Sequence, residues 1–328
     1  MTRRKTKRRA MYALILLLTI SFLPLLIHIS KLSQAQQKFD YKAVGVELEW
    51  IKSHYPWTYS LPKIADIDLW LKLNQGEGLN IKDKLSKFKD DKHLFWYFQL
   101  ELSQGNIDSA GNTLERISDR KLRILGQALL EMARGNIAQA KLLLESTQIE
   151  WDSLNPHLKV LRFTTLAHID LILEDYENAQ VNINNASSLE SENPIVIGSA
   201  YYLAVMTKNW REVERLSTMI QPEKLDRDLI FLISMGLVAI QKQDSLLLEK
   251  TIQNLKSLDN GLAYVSYLQG IKLLSADNLK DGIEKLDTAI QLGLDGMIKK
   301  DAEIAKLQAE KRLQAENALR PIINGGGQ

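Results

Sequence analysis

Gly135-Asn136-Ile137-Ala138-Gln139-Ala140, "GNIAQA", repeats a phrase met thirty residues earlier as Gly105-Asn106-Ile107-Asp108-Ser109-Ala110, "GNIDSA". Each copy stands between two stretches whose apolar residues recur three and four apart, the spacing of one helix face. Gly-Asn at such a place reads as a helix stop followed by a helix start. Glycine accepts the left-handed backbone that ends the first helix, and asparagine caps the second. The alanine four residues beyond each Asn then puts a small side chain where two helices cross closely.

Working outward, similar breaks stand at Asp175-Tyr176, Asn209-Trp210, Asp244-Ser245 and Asp277-Asn278. With the Asn or Asp as marker, the steps from Asn106 are 30, 39, 34, 35 and 33 residues. They scatter about thirty-four, the length of a two-helix repeat. Strand-like alternation is hard to find after Phe39, so the expected fold class is all-α. Each helix pair carries an apolar face it cannot bury alone, and stacking of neighbours supplies the core.

On these residues the chain resembles a tetratricopeptide repeat array. The last unit matches through Gly270, Leu273, Asp277-Asn278, Leu279, Gly282, Leu286 and Ala289, and the one before it through Gly236, Ala239, Asp244, Leu248 and Ile252. A middle unit offers Ala167, Tyr176, Ala179, Ile183 and Ala186, closed by Pro194, and the first two keep Ala110 and Ala140. Phe98 and Tyr201 depart from the pattern, standing where a small residue is usual, and Val213 and Leu248 replace a packing alanine. The resemblance implies a right-handed α-solenoid of about six helix pairs over 91–297. Residues 41–90, with Trp50, Trp57, Trp70 and breaks at Pro56, Pro62 and Gly76-Glu77-Gly78, read as an N-terminal cap or degenerate repeat. Residues 298–321 read as a highly charged helix, solvated or partner-binding through Ile304 and Leu307, and 322–328 as a disordered tail.

The N-terminus is of another kind. Arg3, Arg4, Lys5, Lys7, Arg8 and Arg9 precede Met11 to Ile29, nineteen residues without Asp, Glu, Lys or Arg, twelve of them Leu, Ile or Phe. A helix of that length rises about 28 Å, close to the hydrocarbon thickness of about 30 Å. The expectation is a single transmembrane helix over 11–29, a basic cytoplasmic segment over 1–10, a linker over 30–40 and an extracytoplasmic body. Membrane lipid is thus an expected partner, through the apolar run and through the basic cluster that anionic headgroups attract. Ser33-Gln34-Ala35 carries small residues at the positions a signal peptidase inspects, so cleavage and release of the body is the alternative.

Composition removes several functions. The chain has no cysteine, hence no disulfide, thiolate nucleophile or Cys-ligated metal. The formal charge is +2, and setting aside the six N-terminal positives leaves −4, which disfavours a nucleic-acid partner. The five histidines, His28, His54, His93, His157 and His168, show no metal-ligand spacing, and the tail glycines lack the lysine of a phosphate loop. Asp90-Asp91 and Glu174-Asp175 read as helix caps and turns, and the Lys82–Lys92 run, broken by Asp83, Asp90 and Asp91, as a solvated face. No catalytic, cofactor or metal residues are assigned; an envelope hydrolase would need a site that no motif here marks.

What remains is a groove. In the family resembled, positions of each first helix line a concave surface, which by likeness implies His168, Tyr202, Met206, Ile233, Leu237, Tyr264, Tyr267 and Ile271 here. The set is apolar and aromatic, without the Lys, Arg and Asn clamp by which some relatives hold a peptide carboxylate. It suits a helix or extended segment of a partner protein or peptide. The same side chains also suit inter-helix core. The functional expectation is a membrane-anchored scaffold or assembly factor of a bacterial envelope, with a peptide sensor using the same groove as the alternative.

Overall fold

The computed structural model describes residues 21–75, 77–220, 229–258, 262–294 and 296–325. Every regular element among them is helical. In chain order they are α1 (21–37), α2 (Tyr41–His54), α3 (Pro62–Asn74), α4 (Gly78–Leu85), α5 (Asp91–Ser103) and α6 (Ile107–Glu115). Then come α7 (Arg120–Ala133), α8 (Ile137–Leu144), α9 (Pro156–Ile172), α10 (Tyr176–Leu189), α11 (Pro194–Met206) and α12 (Trp210–Ser217). The last are α13 (Leu229–Lys242), α14 (Ser245–Lys256), α15 (Leu262–Ser275), α16 (Leu279–Gln291) and α17 (Gly296–Gly325). Short 3-10 turns cover Pro56–Ser60 and Trp151–Ser153. The chain divides into two compact units, Met1–Gly135 and Asn136–Gln328.

The turns explain the repeat. Gly105, Gly135, Glu174, Lys208, Gln243 and Asp277 all have left-handed backbones, with φ between 54° and 80°, and each immediately precedes an Asn or Asp at the N-cap position of the next helix, where the side chains of Asp175, Asn209 and Asp244 accept a backbone N–H. The capping residue's N–H reaches back five residues: Asn106 to the Glu101 carbonyl (3.0 Å), Asp175 to Asp170 (2.8 Å), Asn209 to Ala204 (2.8 Å), Asp244 to Ala239 (2.9 Å) and Asn278 to Leu273 (3.0 Å). This is the Schellman closure, which satisfies the last carbonyls of one helix while the Asn or Asp starts the other. In the last pair Asp277 is the left-handed residue and Asn278 the cap, so the marker there moves by one. Prolines also act as starts: Pro62, Pro156 and Pro194 occupy the first turns of α3, α9 and α11, where a missing N–H costs nothing. Pro194, read from sequence as closing a helix, thus opens one, with Asn193 as its cap.

Small and large residues interlock between helices. A Cβ on Gly126 of α7 would stand 2.4 Å from Leu114 Cδ1 and 3.4 Å from rings of Phe95 and Phe98. Phe98, oversized for its repeat position, is fully buried because Gly126 leaves room for it. Tyr201, the other oversized residue, is also buried; it packs on Phe231 at 5.9 Å, and burial pushes its hydroxyl pKa up to about 12.

The N-terminal expectation changes in two respects. Residues 11–20 of the expected membrane span lie outside the described residues, and among the described residues no helix is long and apolar enough to cross a membrane. Residues 21–29 are the first part of α1, which pairs with α2: Leu25, Leu32 and Ala35 join Val44, Leu48, Ile51 and Trp70 in one core. His28 stacks on Trp50 at 3.4 Å between centroids and shares a hydrogen bond with Glu47. Residues 30–37, expected as linker, continue α1. The turn after it repeats the device described above: Phe39 is left-handed at φ 52°, Asp40 N–H reaches the Ala35 carbonyl at 2.9 Å, and Asp40 Oδ1 accepts from Ala43 N–H at 3.0 Å.

Candidate functional site

In the second unit, α9/α10, α11/α12, α13/α14 and α15/α16 are successive helix hairpins, and the residues expected to line a groove come from their first helices. Seven of the eight meet around one apolar cluster: Met206, Ile233 and Tyr267 are buried in it, and Tyr202, Leu237, Tyr264 and Ile271 are half-buried against it. His168 meets the rim, its ring edge-on to Tyr202 at 6.3 Å. The positions therefore converge as a lining would. They are also a core, because the surface is covered.

The cover is α17. Leu294, Ile298 and Ala302 are buried in the same cluster, and Met297 and Ala305 pack against it. The start of α17 reaches the first hairpin of the unit: Tyr176 hydroxyl donates to Met297 Sδ at 3.4 Å, and Lys300 Nζ pairs with Glu174 at 2.5 Å, across 126 residues of sequence. Further along, Lys306 pairs with Asp287 and Arg312 with Asp277. These pairs are mostly exposed and add little stability each; the apolar side chains beneath do more to hold the helix. Tyr267, deep in the seam, has its hydroxyl pKa raised by burial and further by the Asp301 carboxylate. A cavity of about 150 Å³ persists beside the helix, lined among others by Met206, Trp210, Leu237, Tyr267, Ile298 and Asp301.

Two buried carboxylates that no sequence pattern marks occupy equivalent repeat positions. Glu101 and Asp170 each lie five residues before a capping residue and are about 1% exposed. Glu101 accepts from Ser109 (2.5 Å) and Thr113 (3.0 Å) of α6, with Lys82 of α4 at 3.8 Å. Asp170 accepts from Asn182 of α10 (2.8 Å) and Lys141 of α8 (2.7 Å). In both, a first-helix carboxylate ties its own second helix and a lysine of the helix before the pair. Buried charges of this kind are costly unless fully partnered, and these are. Through these bonds they staple neighbouring helices.

Asp66, Asp90 and His93 of the first unit are likewise engaged with one another. Asp90 caps α5 through His93 N–H, and the His93 ring, buried and stacked on Phe88 at 3.9 Å, bonds Asp90 at 2.8 Å and Asp66 at 3.1 Å. Burial raises the Asp90 carboxyl, but the His93 hydrogen bonds outweigh it and hold the group below its ordinary pKa. Among the described residues no group of three or more His, Cys, Asp or Glu is arranged to hold a metal ion.

No protein-family model matches the chain, and no curated protein matches it. Among solved structures, it is similar to a tetratricopeptide repeat protein from Parabacteroides merdae ATCC 43184, at 15% identity over 85% of this chain and 97% of that one, with a TM-score of 0.43. The repeat architecture rests here on the chain's own evidence, the recurrent left-handed turn and cap together with the glycine crossings between helices.

Proposed function

We propose that this protein is a non-enzymatic scaffold or assembly factor, anchored by one N-terminal membrane helix, that binds partner proteins at the extracytoplasmic face of a bacterial membrane. The observation that carries the reading is the seam of the second unit: an aromatic and aliphatic surface that already holds an α-helix, α17. A surface that seats an amphipathic helix of its own chain has the chemistry to seat one from a partner. The anchor is supported by the uncharged run of 11–29, and the orientation by six basic residues before it against Lys31 and Lys38 after it. Tethering raises the effective concentration of a membrane-bound partner, so weak individual contacts suffice.

A second reading, a peptide sensor, is favoured by the same helix: α17 as an internal occupant would set the affinity an external peptide must exceed. Release by cleavage after Ala35 fits the structure less well, since it would remove the helix whose Leu25 and Leu32 complete the first core. A cysteine at Lys280, an exposed site in the first turn of α16, tests anchor and orientation together in a chain with no other thiol. Intact cells treated with a membrane-impermeant maleimide should label the protein in the membrane fraction. Labelling only after lysis, or labelled protein in the medium, overturns the proposal.

A further inference from the structure

The core of the N-terminal hairpin leaves one side of α1 uncovered, and that side is apolar. Leu25, Ile29 and Leu32 face α2, whereas Phe22, Leu23, Leu26 and Ile27 are 40–61% exposed. At 100° per residue the four exposed side chains fall within one sector of about 140°, away from the buried stripe. Residues from the far end of α2 extend the patch. Phe22 stands edge-on to Trp57 at 6.3 Å and meets Tyr55 at 6.4 Å, and the Tyr55 hydroxyl donates to the Ser21 carbonyl at 2.6 Å. Trp57 is 54% exposed, and Leu61, four residues on, is 41% exposed. A patch of large apolar side chains with a Trp and a Tyr at its edge has no role in the hairpin's own core, and patches of this kind mark interaction surfaces.

The sequence leading into the patch identifies its occupant. Residues 11–20 carry no charged side chain, and the six basic residues of 3–9 lie before them. Apolar side chains on one helix face, aromatic residues at the rim and a basic cluster along the chain together match the headgroup and acyl boundary of a bilayer with anionic lipid.

We propose that Phe22, Leu23, Leu26, Ile27, Trp57 and Leu61 form a lipid-docking surface, by which the N-terminal hairpin rests in the membrane interface and holds the first unit against the bilayer. The inference rests on the membrane anchoring proposed above and adds that the body is seated, where a bare anchor would leave it free to swing. Seating fixes which faces of the first unit point away from the lipid.

The absence of cysteine allows a site-specific test in the full chain. Leu61→Cys, which lies outside the apolar run itself, and Leu246→Cys, 86% exposed in the second unit, would each carry a polarity-sensitive fluorophore. The chains are reconstituted into vesicles of phosphatidylcholine and phosphatidylglycerol, and vesicle flotation is measured alongside quenching by aqueous iodide and by lipids bearing a nitroxide. The proposal expects the Leu61 probe to shift to shorter wavelength, lose its iodide quenching and be quenched by the nitroxide lipid, while the Leu246 probe behaves as in water. If the protein floats with the vesicles but the Leu61 probe stays accessible to iodide, the anchor holds and the docking surface is refuted. If that probe is shielded from iodide yet out of reach of the nitroxide, a protein surface covers the patch and the lipid assignment fails. If the chain does not float, the anchoring reading fails, and this proposal with it.

Discussion

Replacing Gly270 by alanine should destabilise the second unit, although alanine is ordinarily the better helix residue. Gly270 of α15 and Gly282 of α16 face each other where the hairpin crosses. A Cβ on Gly270 would lie 2.8 Å from both Cγ and Cδ2 of Leu286 and 3.2 Å from the Gly282 carbonyl oxygen, against a comfortable carbon separation of about 3.5–4.0 Å. Leu286 is fully buried, and its branch carbon cannot swing away as a chain end would. Overpacking of this kind costs about 1–3 kcal/mol, and the higher helix propensity of alanine returns about 1, for a net loss of about 1 kcal/mol. Gly198 of α11 supplies the internal control, because a Cβ there meets nothing within 4 Å. Gly198→Ala should stabilise by about 0.5–1 kcal/mol. At about 2–4 °C per kcal/mol for a unit of this size, calorimetry of the purified chains should place the two melting temperatures about 3–8 °C apart, on opposite sides of the parent. Amide exchange should accelerate in α15 and α16 for Gly270→Ala alone. If both substitutions raise the melting temperature alike, the close crossing is wrong.

Three further expectations follow from other contacts. Lys141→Met leaves the buried Asp170 carboxylate with Asn182 alone and should cost about 3 kcal/mol in denaturant unfolding at neutral pH. The Asp170 hydrogen bond is the chief cause of the raised Lys141 pKa, so the stabilisation is complete below the free-lysine value of about 10.4 and is lost as pH rises through the higher folded value; parent and variant should converge in strong alkali. At the turn between α13 and α14, Gln243→Gly should stabilise by about 0.5–1 kcal/mol by relieving a left-handed side-chain residue, and Asp244→Ala should destabilise by about 1 through loss of its bond from Leu247 N–H; opposite shifts in unfolding midpoint check the pair. Ending the chain at Leu294 should uncover Met206, Ile233 and Tyr267, seen as new binding of a hydrophobic dye and faster amide exchange in α13 and α15.

The turns between helix pairs were legible because Asn and Asp caps announce themselves, and the Gly-Asn pairs announce the left-handed residue too. Where Glu174, Lys208 or Gln243 takes that conformation the composition is silent, and only the following cap betrays the turn. Phe39-Asp40 is silent for the same reason, and in the helix before it, leucines that pack on protein look the same in sequence as leucines that enter hydrocarbon. Repeat register brings the seam positions together, yet no pattern separates a lining from a core. The cover was harder still. α17 is charged, the side chains it buries include the small Ala302 and Ala309, and the two larger apolar residues that its sequence advertises, Ile304 and Leu307, are more than half exposed. Apolar periodicity points to big side chains, and a helix that docks largely through alanines, with Met297 and Ile298 at its start, escapes it.

The most direct test of the seam and its occupant is zero-length carbodiimide crosslinking of the purified chain, read by peptide mass spectrometry. Lys272 and Glu249, paired at 2.7 Å between adjacent hairpins, should join and serve as the control. The account predicts a second link within the same chain, Lys300 to Glu174, which forms only if α17 lies across the first helices and reaches the turn between α9 and α10. A control link without the Lys300–Glu174 link would mean that the seam is uncovered, and the surface proposed to bind a helix would have no helix on it.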